Sequence, residues 1–84
     1  MNIIKTYTSA ECNTFDVIVN ETLVAYYYEY FVNPETNEKL EKPVFEIYYD
    51  LNDGGLYDLN DGYFESSLIT EDFADIEEIL DELS

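Results

Sequence analysis

The chain has no histidine, no arginine and no tryptophan, and its three lysines, Lys5, Lys39 and Lys42, all precede residue 46. From Glu46 to Ser84 there are thirteen Asp and Glu and not one base. Seven acids and three lysines before that point give −4, which with −13 makes the −17 of the whole chain. Without histidine there is no Ser-His or Cys-His pair, so nucleophilic catalysis lacks its base. The lone Cys12 has no basic neighbour to stabilise a thiolate. Carboxylate pairs are unavoidable among twenty acids, so none of them is specific for acid/base work. With three glycines and no Gly-rich loop, a nucleotide phosphate has no cradle. The chain is therefore expected to be no enzyme and to need no cofactor.

A single cysteine closes no intramolecular disulfide, which fits a reducing cytosol. No apolar run approaches the roughly 18 residues that cross a bilayer. Asn2-Ile3-Ile4-Lys5, followed by Thr6, Thr8 and Ser9, does not read as a secretory signal. The expected location is cytoplasmic. A charge of −17 also rules out nucleic acid and anionic membrane as direct ligands. It destabilises the compact state by self-repulsion while adding solubility and long-range steering.

What the chain does have is apolar material: 46% hydrophobic residues, with nine Tyr and five Phe, too much for a disordered acidic tail. Its 84 residues are expected to form one domain, 1–84, of modest stability. Asn2–Thr8 and Thr14–Val19 read as strands rich in β-branched residues, and Asn20-Glu21 as a tight turn. Thr22–Val32 follows as a strand with two largely apolar faces, Leu23, Ala25, Tyr27, Glu29 and Phe31 against Val24, Tyr26, Tyr28, Tyr30 and Val32. Asn33-Pro34-Glu35-Thr36-Asn37 has hairpin chemistry, with Pro34 presetting φ and Asn37 tolerating the left-handed conformation. A returning strand runs from about Glu38 to Leu51, with Pro43 at a bulge or an edge position. Tyr49-Asp50-Leu51-Asn52-Asp53-Gly54 then recurs as Tyr57–Gly62, and its two Asp-Gly pairs predict tight turns in a short meander. The last element is a helix from about Glu71 to Leu83, capped by Thr70, with Phe73, Ile76, Ile79, Leu80 and Leu83 on one stripe. The expected fold class is α+β: an antiparallel sheet of four to five strands with one C-terminal acidic helix packed on one face.

Opposite the apolar stripe, Glu71, Asp75, Glu78 and Glu82 fall at i, i+4, i+7 and i+11, flanked by Glu77 and Asp81. Like charges at i,i+4 each cost about 0.2–0.5 kcal/mol. Asp81 and Glu82 also stand at the negative end of the helix dipole. A helix needing only solubility would intersperse lysine and avoid this loss. The economical explanation is a strongly basic partner. The candidate contact residues are Glu71, Asp75, Glu78, Asp81 and Glu82 on the helix and Asp50, Asp53, Asp58, Asp61 and Glu65 from the preceding turns.

In size, charge, α+β pattern and acids massed at Glu71–Glu82, the chain resembles the small acidic proteins with which phages block bacterial defence, the anti-CRISPR and anti-restriction DNA mimics. That resemblance implies a non-enzymatic inhibitor in the bacterial host cytoplasm. Its acids would occupy the nucleic-acid groove of an RNA-guided nuclease first, or of a restriction nuclease second. Arg–carboxylate pairs copy the geometry of Arg–phosphate pairs, so such a groove suits them.

Three other readings compete. An immunity protein neutralising a toxic nuclease would bind a similarly basic site. A calcium-binding module is suggested by the window Asp50–Asp61, which has Asp, Asn52, Gly55, Asp58 and Asp61 at loop positions 1, 3, 6, 9 and 12. Gly54 at position 5 and the strand-like Phe45–Tyr49 before it argue for turns instead, so no metal site is assigned. The run Tyr26–Phe31 reads first as sheet packing. If one face stays uncovered by the helix, its tyrosines become a partner or homodimer patch.

Overall fold

The computed structural model describes residues 1–49 and 66–84. Five strands and one helix follow in chain order: β1 (Asn2–Thr8), β2 (Cys12–Val19), β3 (Thr22–Val32), β4 (Lys39–Tyr49), β5 (Ser66–Thr70) and α1 (Phe73–Leu83). The strands form one antiparallel sheet in the order β1-β2-β3-β4-β5, each beside its chain neighbour. The architecture is α+β, with the single helix packed against the sheet.

Local chemistry accounts for the turns. Asn20 and Glu21 both hold positive φ, 50° and 65°, the backbone of the two-residue hairpin turn whose twist matches its strands. Asn20 takes this conformation readily; Glu21 does so against its Cβ. In the β3–β4 connection Asn37 has φ 62°, and the Asn33 side chain accepts the Glu35 N–H at 2.8 Å. Pro43 lies where the β3–β4 ladder is irregular, between the pairs Tyr30–Val44 and Val32–Lys39. No ladder hydrogen bond is lost to its missing N–H there.

The helix begins two residues later than the spacing predicts. Thr70 is still in β5, paired with Phe45, so it is in no position to cap. Its hydroxyl instead accepts the Asp72 N–H at 3.0 Å. Asp72, in extended backbone, is the N-cap, and its carboxylate accepts the Ala74 N–H at 3.0 Å. Glu71 thus precedes the helix rather than opening its acidic stripe.

The core lies between α1 and one face of the sheet. Ile76, Ile79, Leu80 and Leu83 are buried against Val17, Ala25, Tyr27, Phe45 and Ile47, with Leu68 and Phe73 packed at the margin. An aromatic seam crosses this layer: Phe15 stacks on Tyr27 at 4.7 Å, and Phe73 meets Tyr27 at 6.1 Å and Phe45 at 5.0 Å. The predicted alternation of β3 holds from Ala25 onward but not before it. A register shift sets Ala25 opposite Val17 and Leu23 opposite Ile18, which are adjacent residues on opposite faces. Leu23 therefore shares a face with Tyr26, not with Ala25.

At the far edge, every residue of β1 is exposed, including Ile3, Ile4 and Tyr7. This edge carries two features that oppose pairing with another strand. Lys5 stands in its middle, and the ladder is broken between Lys5 and Tyr7.

Ile47 and Ile76 are fully buried across the sheet–helix interface. Ile47→Ala is expected to lower unfolding free energy by about 2–5 kcal/mol, measured by urea denaturation, a large share of what so small a domain has. Glu21→Gly should raise it by about 0.5–1 kcal/mol, because glycine enters the left-handed region without a Cβ clash.

Candidate functional site

Two surfaces stand out, on opposite sides of the sheet. The first is the outer face of α1. Because its four buried residues commit one side of the helix to the sheet, Asp75, Glu77, Glu78, Asp81 and Glu82 are all turned to solvent. No basic residue stands in the last turn. At 1.5 Å rise per residue, these five carboxylates span about 10 Å of axis, an average step of roughly 2.6 Å. Duplex DNA carries one charge per roughly 1.7 Å. The linear charge density of the helix alone therefore lies between that of one DNA strand and that of a duplex, once the flanking Glu77 and Asp81 are counted with the stripe.

The acids differ in what they do locally. Asp75 lies in the first turn, where the dipole favours it, and accepts the Thr70 hydroxyl at 2.6 Å. Asp81 and Glu82 lie at the opposite end, where the dipole opposes them. Glu78–Glu82 and Glu77–Asp81 are like-charge i,i+4 pairs, as the spacing predicts. Glu71–Asp75 is not, since Glu71 lies outside the helix, though exposed beside its start. Asp50, Asp53, Asp58, Asp61 and Glu65 lie outside the described residues, as do the tandem Asp-Gly turns and the window weighed for calcium. Among the described residues no group of three or more His, Cys, Asp or Glu is placed to hold a metal ion.

The second surface is the sheet face away from the helix. Register places Asp16, Thr14 and Cys12 of β2, Tyr26, Tyr28 and Tyr30 of β3, Val44, Glu46 and Tyr48 of β4, and Ile69 of β5 on it. Four tyrosines form one cluster. Tyr26 stacks on Tyr48 at 5.0 Å and Tyr28 on Tyr30 at 5.5 Å, and Tyr28 meets Tyr26 and Tyr48 edge-on, each at 6.0 Å. All four are half-buried, and no helix or strand among the described residues lies over them. The tyrosine run thus divides: Tyr27 goes to the core, while Tyr26, Tyr28 and Tyr30 form an aromatic surface.

Glu46 sits within that surface, opposite Tyr28, and accepts the Tyr30 hydroxyl at 3.4 Å. The partly buried environment, with the Glu46 carboxylate beside it, disfavours a phenolate. Burial first, then the hydrogen bond with Glu46 and its charge, push the Tyr48 hydroxyl up to about 12. Burial and the Glu46 charge raise that of Tyr30 further. Neither Glu46 nor Tyr48 is among the candidates read from the sequence, although the alternation Val44, Glu46, Tyr48 along β4 puts them on the face of Tyr26, Tyr28 and Tyr30.

No protein-family model, curated protein or solved structure matches the chain. Among the described residues no helix is long and apolar enough to cross a membrane.

These shifts have a direct readout. In the folded protein Tyr48 should ionise near pH 12, against about 10 when unfolded. The raised folded value means that this contribution to stability is complete below about pH 10 and is lost as pH rises towards 12. Phenolate absorbance followed against pH should show a late-titrating set of tyrosines. Glu46→Gln should move part of that set back towards 10. A titration unchanged by the substitution would remove Glu46 as a cause.

Proposed function

We propose that the protein is a non-enzymatic inhibitor that presents the outer face of α1 as a substitute for a nucleic-acid backbone. Its target is a basic nucleic-acid-binding protein: the groove of a bacterial defence nuclease, an RNA-guided enzyme first and a restriction enzyme second. The observation that supports this most directly is the charge density of Asp75–Glu82, between that of one DNA strand and that of a duplex and carried without a single base. Two further points agree with it. The acids are kept at helix positions where they oppose one another and, at Asp81 and Glu82, the dipole. Their spacing is fixed by a helix anchored through four buried side chains, so the array is preorganised and loses little entropy on binding. A groove that normally holds phosphates supplies Arg and Lys, and a carboxylate pairs with Arg in the same two-pronged geometry as phosphate. Association steered in this way is fast at low salt and slows steeply as salt rises.

The test uses charge reversal at positions that the fold does not need. The triple substitution Glu78→Lys, Asp81→Lys and Glu82→Lys should leave the fold intact and raise the melting temperature. It removes like-charge pairs and puts bases at the helix C-terminus. Cleavage assays with RNA-guided and restriction nucleases should show inhibition by the native protein, competed by duplex DNA. They should show its loss, by at least about a hundredfold in potency, in the triple variant. Equal potency of the two would rule out the helix face as the contact. Asp75 is left in place because its carboxylate holds the Thr70 hydroxyl.

A further inference from the structure

The far side of the sheet carries a feature that the acidic helix does not explain. Between the 33–37 turn, β4 and β5 lies an open cavity of about 270 Å³. Its lining comprises the aliphatic Leu40, Val44 and Ile69, the aromatic Tyr30, Asn33 and Pro34 of the turn, and two acids, Glu46 and Glu35, without a basic residue. Ile69 is 66% exposed, the most exposed large apolar side chain among the described residues. This is an unusual mixture. A pocket for a neutral apolar group would not carry two acids, and a plain acidic surface would not carry an aliphatic and aromatic lining. An arginine side chain has both characters, a three-carbon stem that packs on apolar surface and a planar cation that stacks on rings and pairs with carboxylate.

We propose that this cavity is an anchor pocket for one arginine side chain of a protein partner. The stem lies against Leu40, Val44 and Ile69. The guanidinium stacks on Tyr30 and donates to the Glu46 carboxylate, with Glu35 at the rim. Charge complementarity selects this occupant over a second copy of the chain, which would bring −17 against −17 and set Glu46 near its own counterpart. It also selects against a nucleic-acid base, although tyrosines on an open sheet suit base stacking, because the accompanying phosphates would meet carboxylates. Glu46 is the residue that gives the pocket its preference. The Tyr30 hydroxyl, at a long 3.4 Å, and the Tyr48 hydroxyl both donate to it, which still leaves acceptor capacity on the two oxygens of a half-buried carboxylate. Arginine is favoured over lysine because the flat cation satisfies ring and carboxylate together. The pocket faces away from α1, so this inference does not rest on the helix acting as a nucleic-acid substitute.

The probe is a capped tripeptide, glycine-arginine-glycine, titrated into the ¹⁵N-labelled full chain, with the lysine and citrulline analogues as comparisons. Saturable shifts are expected at the amides of Val44, Glu46 and Ile69. The lysine peptide should bind more weakly and the citrulline peptide not at all. Glu46→Gln should weaken arginine binding by about tenfold or more, the scale of one charge-assisted hydrogen bond. Tyr30→Leu should also weaken it, whereas Glu78→Gln with Glu82→Gln should leave it unchanged. Shifts spread over α1, no saturable shift, or equal affinity in Glu46→Gln would each overturn the proposal. Because the α1 variants are read separately, loss of the helix's inhibitory role would leave this result standing, and the reverse also holds.

Discussion

Everything described above depends on the apolar stripe of α1 seating on one face of the sheet. A five-stranded meander has two faces, and the described residues supply one helix to cover them. Ile76, Ile79, Leu80 and Leu83 complete the core over Ala25, Phe45 and Ile47. The same contact turns Asp75, Glu77, Glu78, Asp81 and Glu82 outward. Burial of apolar area and display of charge are thus two results of one docking event, and neither is separable from the other. The burial must also offset the repulsion among the acids, which it does with a stripe that is nearly all Ile and Leu.

Among the described residues, covering one face leaves the other without a helix or strand over it, and the sequence treats that face as a surface in its own right. An ordinary solvent face of an antiparallel sheet alternates polar residues outward. Here the outward positions of β3 are tyrosines. Tyrosine suits this place because its ring packs on its neighbours while its hydroxyl stays hydrated. The four rings form two stacked pairs that meet edge-on, and Glu46 among them keeps a carboxylate at the edge of an apolar hollow. The molecule therefore has two faces of different chemistry. One is a dense row of charge held on a rigid rod; the other is an aromatic and aliphatic platform with charge at a few points.

Much of this was legible from residue patterns, and the exceptions have local causes. β1 and β3 follow their β-branched and aromatic runs to the residue, and Asn37 takes the left-handed turn that its chemistry suggests. The helix start was misplaced because Thr70 and Asp72 are both good caps. The choice between them was made by β5, whose pairing with Phe45 keeps Thr70 in the sheet. Alternation along β3 misassigned Leu23 because a register shift against β2 leaves no mark in a strand that is apolar on both faces. For the same reason the tyrosines could not be divided between core and surface by counting alone. That division depends on which face the helix takes. The acidic residues of α1 were evident from spacing, but their density is a property of the helix that carries them. Asp50 through Glu65 contribute to the charge of the chain and lie outside the described residues.

The strict neighbour-to-neighbour order of the sheet bears on how the protein comes into being. Each strand pairs with its chain neighbour, and the connections from β1 through β4 close over short spans. The half carrying only −4 comes first off the ribosome and contains three of the five strands in full. Most of the charge follows afterwards, in the segment that closes the core. The first three strands thus carry little of the self-repulsion that the rest of the chain brings to the fold.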